Sequence, residues 1–319
     1  MKIVLLDVGT VGDDIDFSRI DSLGECVKYQ NTLPNQVAQR IYDADVVIVN
    51  KIVLDEEVLS AAKNIKLICV FAVGYNNIDI NYCRKNHIKV RNVPGYCTES
   101  VCQHTFALLF SLIENIRYYD DFVKNGLYSK SAMANHLGKQ FFEISGKKWG
   151  ILGMGAIGRA VADCATAFGA DVSYSSISGA CRKEKYENVP FEKLISESDI
   201  ITVHAPLNEK TLHLIGKKEL SMMKKNAVII NVGRGAIIDE EALIDAINSG
   251  VIAGAGLDVY SQEPPHVSAP VLKVKNPERI VYTPHIAWAS LEARQRCVSM
   301  TADNVSSFIN GEARNDVWQ

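Results

Sequence analysis

The sequence predicts an α/β protein made of two doubly wound, parallel-sheet domains. Short unbroken β-branched runs alternate with stretches of helical spacing along most of the chain. Buried parallel strands separated by helices read this way, because both faces of such a sheet are covered. A length of 319 residues suits two domains better than one. The phrase Ala44-Asp45-Val46-Val47-Ile48-Val49-Asn50 also has a later echo in Ser198-Asp199-Ile200-Ile201-Thr202-Val203-His204, one for each half.

Taken in order, the expected strands are Ile3–Leu6, Val46–Val49, Leu67–Val70, Trp149–Leu152, Val172–Tyr174, Ile200–His204, Ala227–Val232 and Ala253–Val259. Pro94 and Gly95 close the first series. Thr98 then caps a long helix whose apolar positions include Val101, Phe106, Leu109 and Ile113. Near the end of the chain Ser290 caps another helix, with Ala293, Cys297, Thr301, Val305 and Phe308 close to one face, and Gly311 stops it. A helix after the last strand of the second domain returns to the first. The expected division is therefore 1–98 plus 290–319 for one domain and 99–289 for a nucleotide-binding domain.

Composition removes several classes of function. Apolar residues make up 47% and charged residues 22%, an ordinary globular mixture. The formal charge of −3 offers no basic surface of the kind nucleic acid requires. Apolar runs such as Phe106 to Ile113 are far shorter than the ~18 residues of a membrane span. Met1 to Leu6 reads as a strand that meets Asp7 at once, not as a signal peptide, so a cytoplasmic location is expected. The eight cysteines (Cys26, Cys69, Cys83, Cys97, Cys102, Cys164, Cys181 and Cys297) form no Cys-x-x-Cys pair. Reduced thiols and no metal site are the expectation.

The most informative phrase follows the strand Trp149–Leu152. It runs Gly153-Met154-Gly155-Ala156-Ile157-Gly158 and opens a helix at Arg159-Ala160-Val161-Ala162. Glycine-x-glycine-x-x-glycine between strand and helix is a dinucleotide fingerprint. Gly153 permits the turn, Gly155 lets a pyrophosphate approach the backbone, and Gly158 lets helix and strand pack closely. Unpaired N–H groups at the helix start favour the anion. An NAD site usually has a carboxylate about 20 residues later for the ribose hydroxyls. Here the next strand leads into Ser175-Ser176-Ile177-Ser178, and Ser176 stands where the acid is expected. Arg182 and Lys183 could pair with a 2′-phosphate or be solvated loop cations, so NAD and NADP both stay open. His204, Ala205 and Pro206, at the end of a later strand, are expected near the cofactor.

Three further phrases begin at or near strand ends: Asn231-Val232-Gly233-Arg234-Gly235; Gly256-Leu257-Asp258-Val259-Tyr260-Ser261-Gln262-Glu263-Pro264-Pro265; and Thr283-Pro284-His285-Ile286-Ala287-Trp288. In order, content and spacing they resemble the D-isomer-specific 2-hydroxyacid dehydrogenase family, through nearly the whole chain. Asn50-Lys51, Val93-Pro94-Gly95-Tyr96 and Gln103-His104-Thr105 are most similar to its glycerate dehydrogenase (hydroxypyruvate reductase) branch.

The resemblance implies a Rossmann nucleotide domain, a flavodoxin-like substrate domain, an active-site cleft between them and a homodimer built on the helix from Thr98. It implies reversible hydride transfer between NAD(P) and a small 2-keto or 2-hydroxy acid such as hydroxypyruvate or glyoxylate. Arg234 corresponds to the family arginine, whose planar fork suits a carboxylate. His285 corresponds to the acid/base residue, and Glu263 to the partner that orients the ring and favours its protonated form. Asp258 corresponds to an aspartate at the nicotinamide carboxamide, with Val232 and Gly233 beside the coenzyme. Val73 and Gly74 match the loop whose N–H groups receive the substrate carboxylate. Lys51 matches a further substrate contact, and Trp288 is expected to line the pocket. His104 is expected to be structural or at an interface. Two rivals remain at this point: a family member acting on another 2-keto acid, and a nucleotide-sensing protein like the family's transcriptional corepressors.

Overall fold

The computed structural model describes residues 1–177 and 184–318. The chain divides into two compact units, Met1–Cys97 with Trp288–Gln319, and Thr98–Ala287.

The first unit holds a five-stranded sheet of β1 (Lys2–Leu5), β2 (Glu25–Lys28), β3 (Val46–Val49), β4 (Leu67–Val70) and β5 (Lys89–Arg91). All neighbours pair in parallel, in the order β2-β1-β3-β4-β5, which is the flavodoxin-like arrangement. Val46–Val49 and Leu67–Val70 are buried at every position, because helices cover both faces of the central strands.

The second unit holds β6 (Lys148–Leu152), β7 (Asp171–Ser175), β8 (Glu187–Asn188), β9 (Ile200–Val203), β10 (Val228–Asn231), β11 (Gly254–Leu257) and β12 (Ile280–Tyr282). Their order, β12-β11-β10-β9-β6-β7-β8, is parallel throughout and reverses direction at β6. Ligands of such sheets bind beyond the carboxyl ends of the strands at that reversal. The helix Thr98–Ile113 packs on helix Ala156–Ala167 and on β11 and β12. Its Phe106 ring lies 5.2 Å from the buried Trp149 of β6, whose Nε1 donates to Thr202 Oγ1 at 3.1 Å.

All eight strands expected from the sequence are present, and four more, β2, β5, β8 and β12, are not among them. Those four are the outer strands of the two sheets. An outer strand has a neighbour on one side only and needs no continuous apolar run, so Glu25-Cys26-Val27-Lys28 and Glu187-Asn188 leave no hydrophobic signature.

The helix Leu291–Ile309 has Ser290 at its N-cap, accepting from the Ala293 N–H, and it packs against β4 in the first unit. The first unit is also held by Arg91, which is fully buried. Its Nε donates to Asp316 at 2.6 Å, and its other nitrogens reach Asn304 O, Ser307 Oγ and Glu312 O. The charge is thereby paired and hydrogen-bonded, as a buried guanidinium must be. The seven described cysteines are free. Among the described residues no helix is long and apolar enough to cross a membrane, and no cluster of metal-ligating side chains occurs.

Candidate active site

Three adjacent parallel strands, β10, β11 and β12, lead into the segments that carry Arg234, Glu263 and His285, and β6 leads into the glycine loop at the same sheet edge. In that loop Gly153 has φ +97°, a left-handed conformation that glycine adopts without strain. A Cβ on it would fall 2.7 Å from Ala205 N. A Cβ on Gly158 would strike the Gly153 carbonyl oxygen, so helix Ala156–Ala167 lies against the loop only because glycine is there. Gly155 differs: a Cβ there would meet no protein atom within 4 Å. The space is a cradle, and the helix behind it begins with no side-chain cap. N–H groups left open at such a helix start hold an anion.

The cradle opens on a cavity of about 820 Å³ walled by Met154, Ser176, Ile177, Glu184, His204 and Pro206. His204 retains some exposed surface, yet both its ring nitrogens are buried with no partner among the described residues. Burial pushes its pKa down to about 3, so the ring is neutral. An orphaned neutral imidazole beside an empty-sided glycine is the kind of surface a dinucleotide completes. Ala205 is buried beside it. Arg182 and Lys183 lie outside the described residues.

After β10, Asn231 pins the turn at two points: its Oδ1 accepts from Gly233 N at 3.0 Å and its Nδ2 donates to Arg234 O at 2.9 Å. Val232 is buried, and Arg234 Nη1 donates to Gly233 O at 2.7 Å. Gly235 packs directly on the Tyr260 backbone, where a Cβ would overlap the chain. That contact sets the Arg234 turn against the segment carrying Glu263.

His285 Nδ1 and Glu263 Oε2 lie 2.5 Å apart. The other carboxylate oxygen of Glu263 accepts from Tyr260 N at 3.1 Å, which holds its orientation. His285 itself has φ +56°, an uncommon conformation for histidine. It is imposed by Asp258, whose carbonyl oxygen accepts from His285 N at 2.7 Å. Asp258 is fully buried. Its carboxylate accepts from Ile286 N at 2.8 Å, Ala287 N at 2.9 Å and Thr283 Oγ1 at 2.6 Å. This carboxylate is bonded to three groups of the strand-end segment that carries His285. His104 Nε2 joins the same network, 2.9 Å from Thr283 Oγ1 and 3.6 Å from Asp258 Oδ1. Thr283 opens one of the phrases singled out in the sequence, but no role was expected of it there.

Four expected residues belong to the first unit. Asp7 accepts the backbone N–H groups of Asn50 and Lys51 at 2.9 and 2.7 Å, which sets the strand end that bears the exposed Lys51. Burial raises the Asp7 pKa and those N–H bonds counter the rise. Asn92 donates to Val73 O at 2.6 Å, and the N–H groups of Val73 and Gly74 have no backbone partner among the described residues. Trp288 meets the Tyr96 ring edge-on at 6.3 Å.

A family described as D-isomer specific 2-hydroxyacid dehydrogenase, NAD binding domain, matches residues 106–287. The chain is 36% identical over 323 residues to hydroxypyruvate reductase of Blautia hydrogenotrophica, covering 99% of each. It is similar to the NADPH-dependent glyoxylate/hydroxypyruvate reductase of Sinorhizobium meliloti, solved with NADP and malonate: 26% identity, TM-score 0.85, 99% of this chain and 96% of that one. It is also similar to D-lactate dehydrogenase of Aquifex aeolicus, solved with NAD and lactic acid: 27% identity, TM-score 0.86, 98% and 96% covered.

Proposed function

The chain belongs to the D-isomer-specific 2-hydroxyacid dehydrogenase family of NAD(P)-dependent oxidoreductases, and from that premise we propose that it reduces hydroxypyruvate to D-glycerate and glyoxylate to glycolate. The observation that supports this most is the His285–Glu263 pair at 2.5 Å, held at the edge where the Arg234 turn and the glycine cradle also end. Of two relatives that each match 99% of this chain, one carries the name hydroxypyruvate reductase and the other glycerate dehydrogenase.

When bound, the nicotinamide coenzyme donates a hydride to the keto carbon or takes it back. The protein's own part is electrostatic and positional. The Arg234 guanidinium binds the substrate carboxylate through its fork and polarises the neighbouring carbonyl, so charge that develops on oxygen meets a fixed cation. With Nδ1 committed to Glu263, the proton that His285 transfers is the one on Nε2. It goes to the nascent alkoxide during reduction and returns during oxidation. Glu263 keeps the ring in the orientation that makes this transfer possible and balances its charge. Asp258 holds the backbone under the ring. Gly153 and Gly155 would hold the pyrophosphate with the N–H groups of helix Ala156–Ala167, which Gly158 lets lie close, and His204 would face the coenzyme with a neutral ring. The family resemblance adds Lys51, Val73, Gly74 and Trp288 as substrate contacts.

The proposal extends to a homodimer in the cytoplasm. Ile116, Val123, Leu127, Met133, Leu137 and Phe141 are exposed apolar side chains following the helix Thr98–Ile113, and sedimentation at micromolar concentration reads the assembly. The decisive assay is a matrix of hydroxypyruvate, glyoxylate, pyruvate and phenylpyruvate against NADH and NADPH. Hydroxypyruvate or glyoxylate should give the highest kcat/KM. Binding of NADH with no turnover on any acid would overturn the reading.

A further inference from the structure

Ser176 leaves the end of β7 without the carboxylate expected there, yet the cavity wall does contain one. Glu184 lies beyond β7, on the connection to β8, and lines the same cavity as Gly153, Gly155 and Ser176. Its side chain is only 9% exposed. Its Oε1 receives Arg159 Nη1 at 3.0 Å, and the same nitrogen donates to Met154 O, inside the phosphate loop, at 3.2 Å. The carboxylate is thus tied to the loop through an arginine at the first turn of helix Ala156–Ala167.

The side of the cavity between the glycine loop and the end of β7 receives the adenosine ribose in doubly wound nucleotide domains. A carboxylate there accepts from a ribose hydroxyl and opposes a phosphate on the same carbon. Arg159 Nη1 is shared between Glu184 and Met154 O, so the arginine's charge is balanced by the carboxylate. Resting on the coenzyme-dependent reading above, we propose that Glu184 is the specificity-determining residue for the coenzyme, accepting the ribose 2′-hydroxyl of NADH and excluding the 2′-phosphate of NADPH. A strut joining loop to helix would need the ion pair but would not need to face the cavity.

The test titrates the full chain, without keto acid, against NADH and NADPH, following coenzyme fluorescence. The wild-type chain should bind NADH at least about tenfold more tightly than NADPH, the scale of one charge-assisted hydrogen bond. Glu184→Gln should shrink the ratio of the two dissociation constants about tenfold or more, weakening NADH while tightening NADPH as Arg159 is released. Glu184→Asp, which keeps the charge, should retain the preference and shows that the site still forms. A wild-type chain that favours NADPH, or a Glu184→Gln chain with an unchanged ratio, overturns the proposal and leaves the dehydrogenase reading standing. A chain that binds neither coenzyme overturns both.

Discussion

Two of the loop glycines look alike in sequence and are constrained by different things, which a pair of alanine substitutions separates. At Gly158 the new methyl would fall on the Gly153 carbonyl oxygen and 3.3 Å from Ile151 Cγ2. Backbone cannot swing aside as a side chain can, so the cost belongs at the upper end of overpacking, about 3 kcal/mol. For a unit of this size that lowers Tm by about 6–12 °C. At Gly155 the backbone has φ −85°, which alanine adopts freely, and the methyl would meet no protein atom. The unfolded chain loses entropy worth about 0.4–1 kcal/mol in favour of folding. Alanine is a poorer N-cap by a similar amount, so Tm should move by no more than about 4 °C. The same methyl occupies the cradle. Displacing a phosphate from one N–H costs about 1.5–3 kcal/mol, a 10- to 100-fold weaker Kd. Thermal unfolding without coenzyme and a fluorescence titration with NADH measure the two effects independently. A Gly155→Ala protein that melts like Gly158→Ala, or one that binds NADH as tightly as wild type, would contradict these separate roles.

Arg234→Lys should lower kcat/KM for glyoxylate about 100-fold, with kcat reduced and KM raised and NADH affinity unchanged, because a point charge replaces the planar fork; steady-state kinetics over both substrates reads this. His204 titrates in the folded chain at about 3 rather than the usual 6.5, so the unfolded chain gains a proton first as pH falls. Its contribution to stability is full above pH 6.5 and fades below it at about 1.4 kcal/mol per pH unit. His204→Leu should therefore lose about 2 kcal/mol less than wild type between pH 7 and pH 5 in urea unfolding, and parallel losses would contradict the assignment. Arg91→Met should destabilise the first unit by about 3–5 kcal/mol, because Asp316 and two carbonyls lose their buried donors. Urea unfolding followed by near-ultraviolet circular dichroism measures that loss.

The central strands were legible because burial on two faces demands unbroken apolar runs, as in Val46–Val49 and Ile200–Val203. The outer strands were not: Glu25–Lys28 is exposed or half-exposed along its length, and Lys89-Val90-Arg91 buries a charged side chain, so neither presents an apolar run. In the site, the glycine spacing predicted a cradle because each missing Cβ has its own geometric reason. Arg234, Glu263 and His285 stood out through their phrases, but the 2.5 Å pairing depends on how β11 and β12 bring distant segments side by side. Asp258 stood out at a strand end, but its bonds to Ile286 N and Ala287 N depend on how β11 and β12 lie side by side and have no signature in the sequence. Glu184 was hidden for a related reason. The ribose acid is sought at the strand terminus, whereas this one arrives by way of the connection after it.

The proposed reaction moves a hydride to a 2-keto carbon and a proton from His285 to its oxygen. Reduction of hydroxypyruvate with coenzyme dideuterated at nicotinamide C4, followed by chiral analysis and mass spectrometry of the glycerate, tests that claim directly. The expected product is D-glycerate carrying one deuterium at C2, and its formation should collapse in His285→Gln. L-Glycerate, glycerate without the label, or an unimpaired His285→Gln enzyme would contradict it.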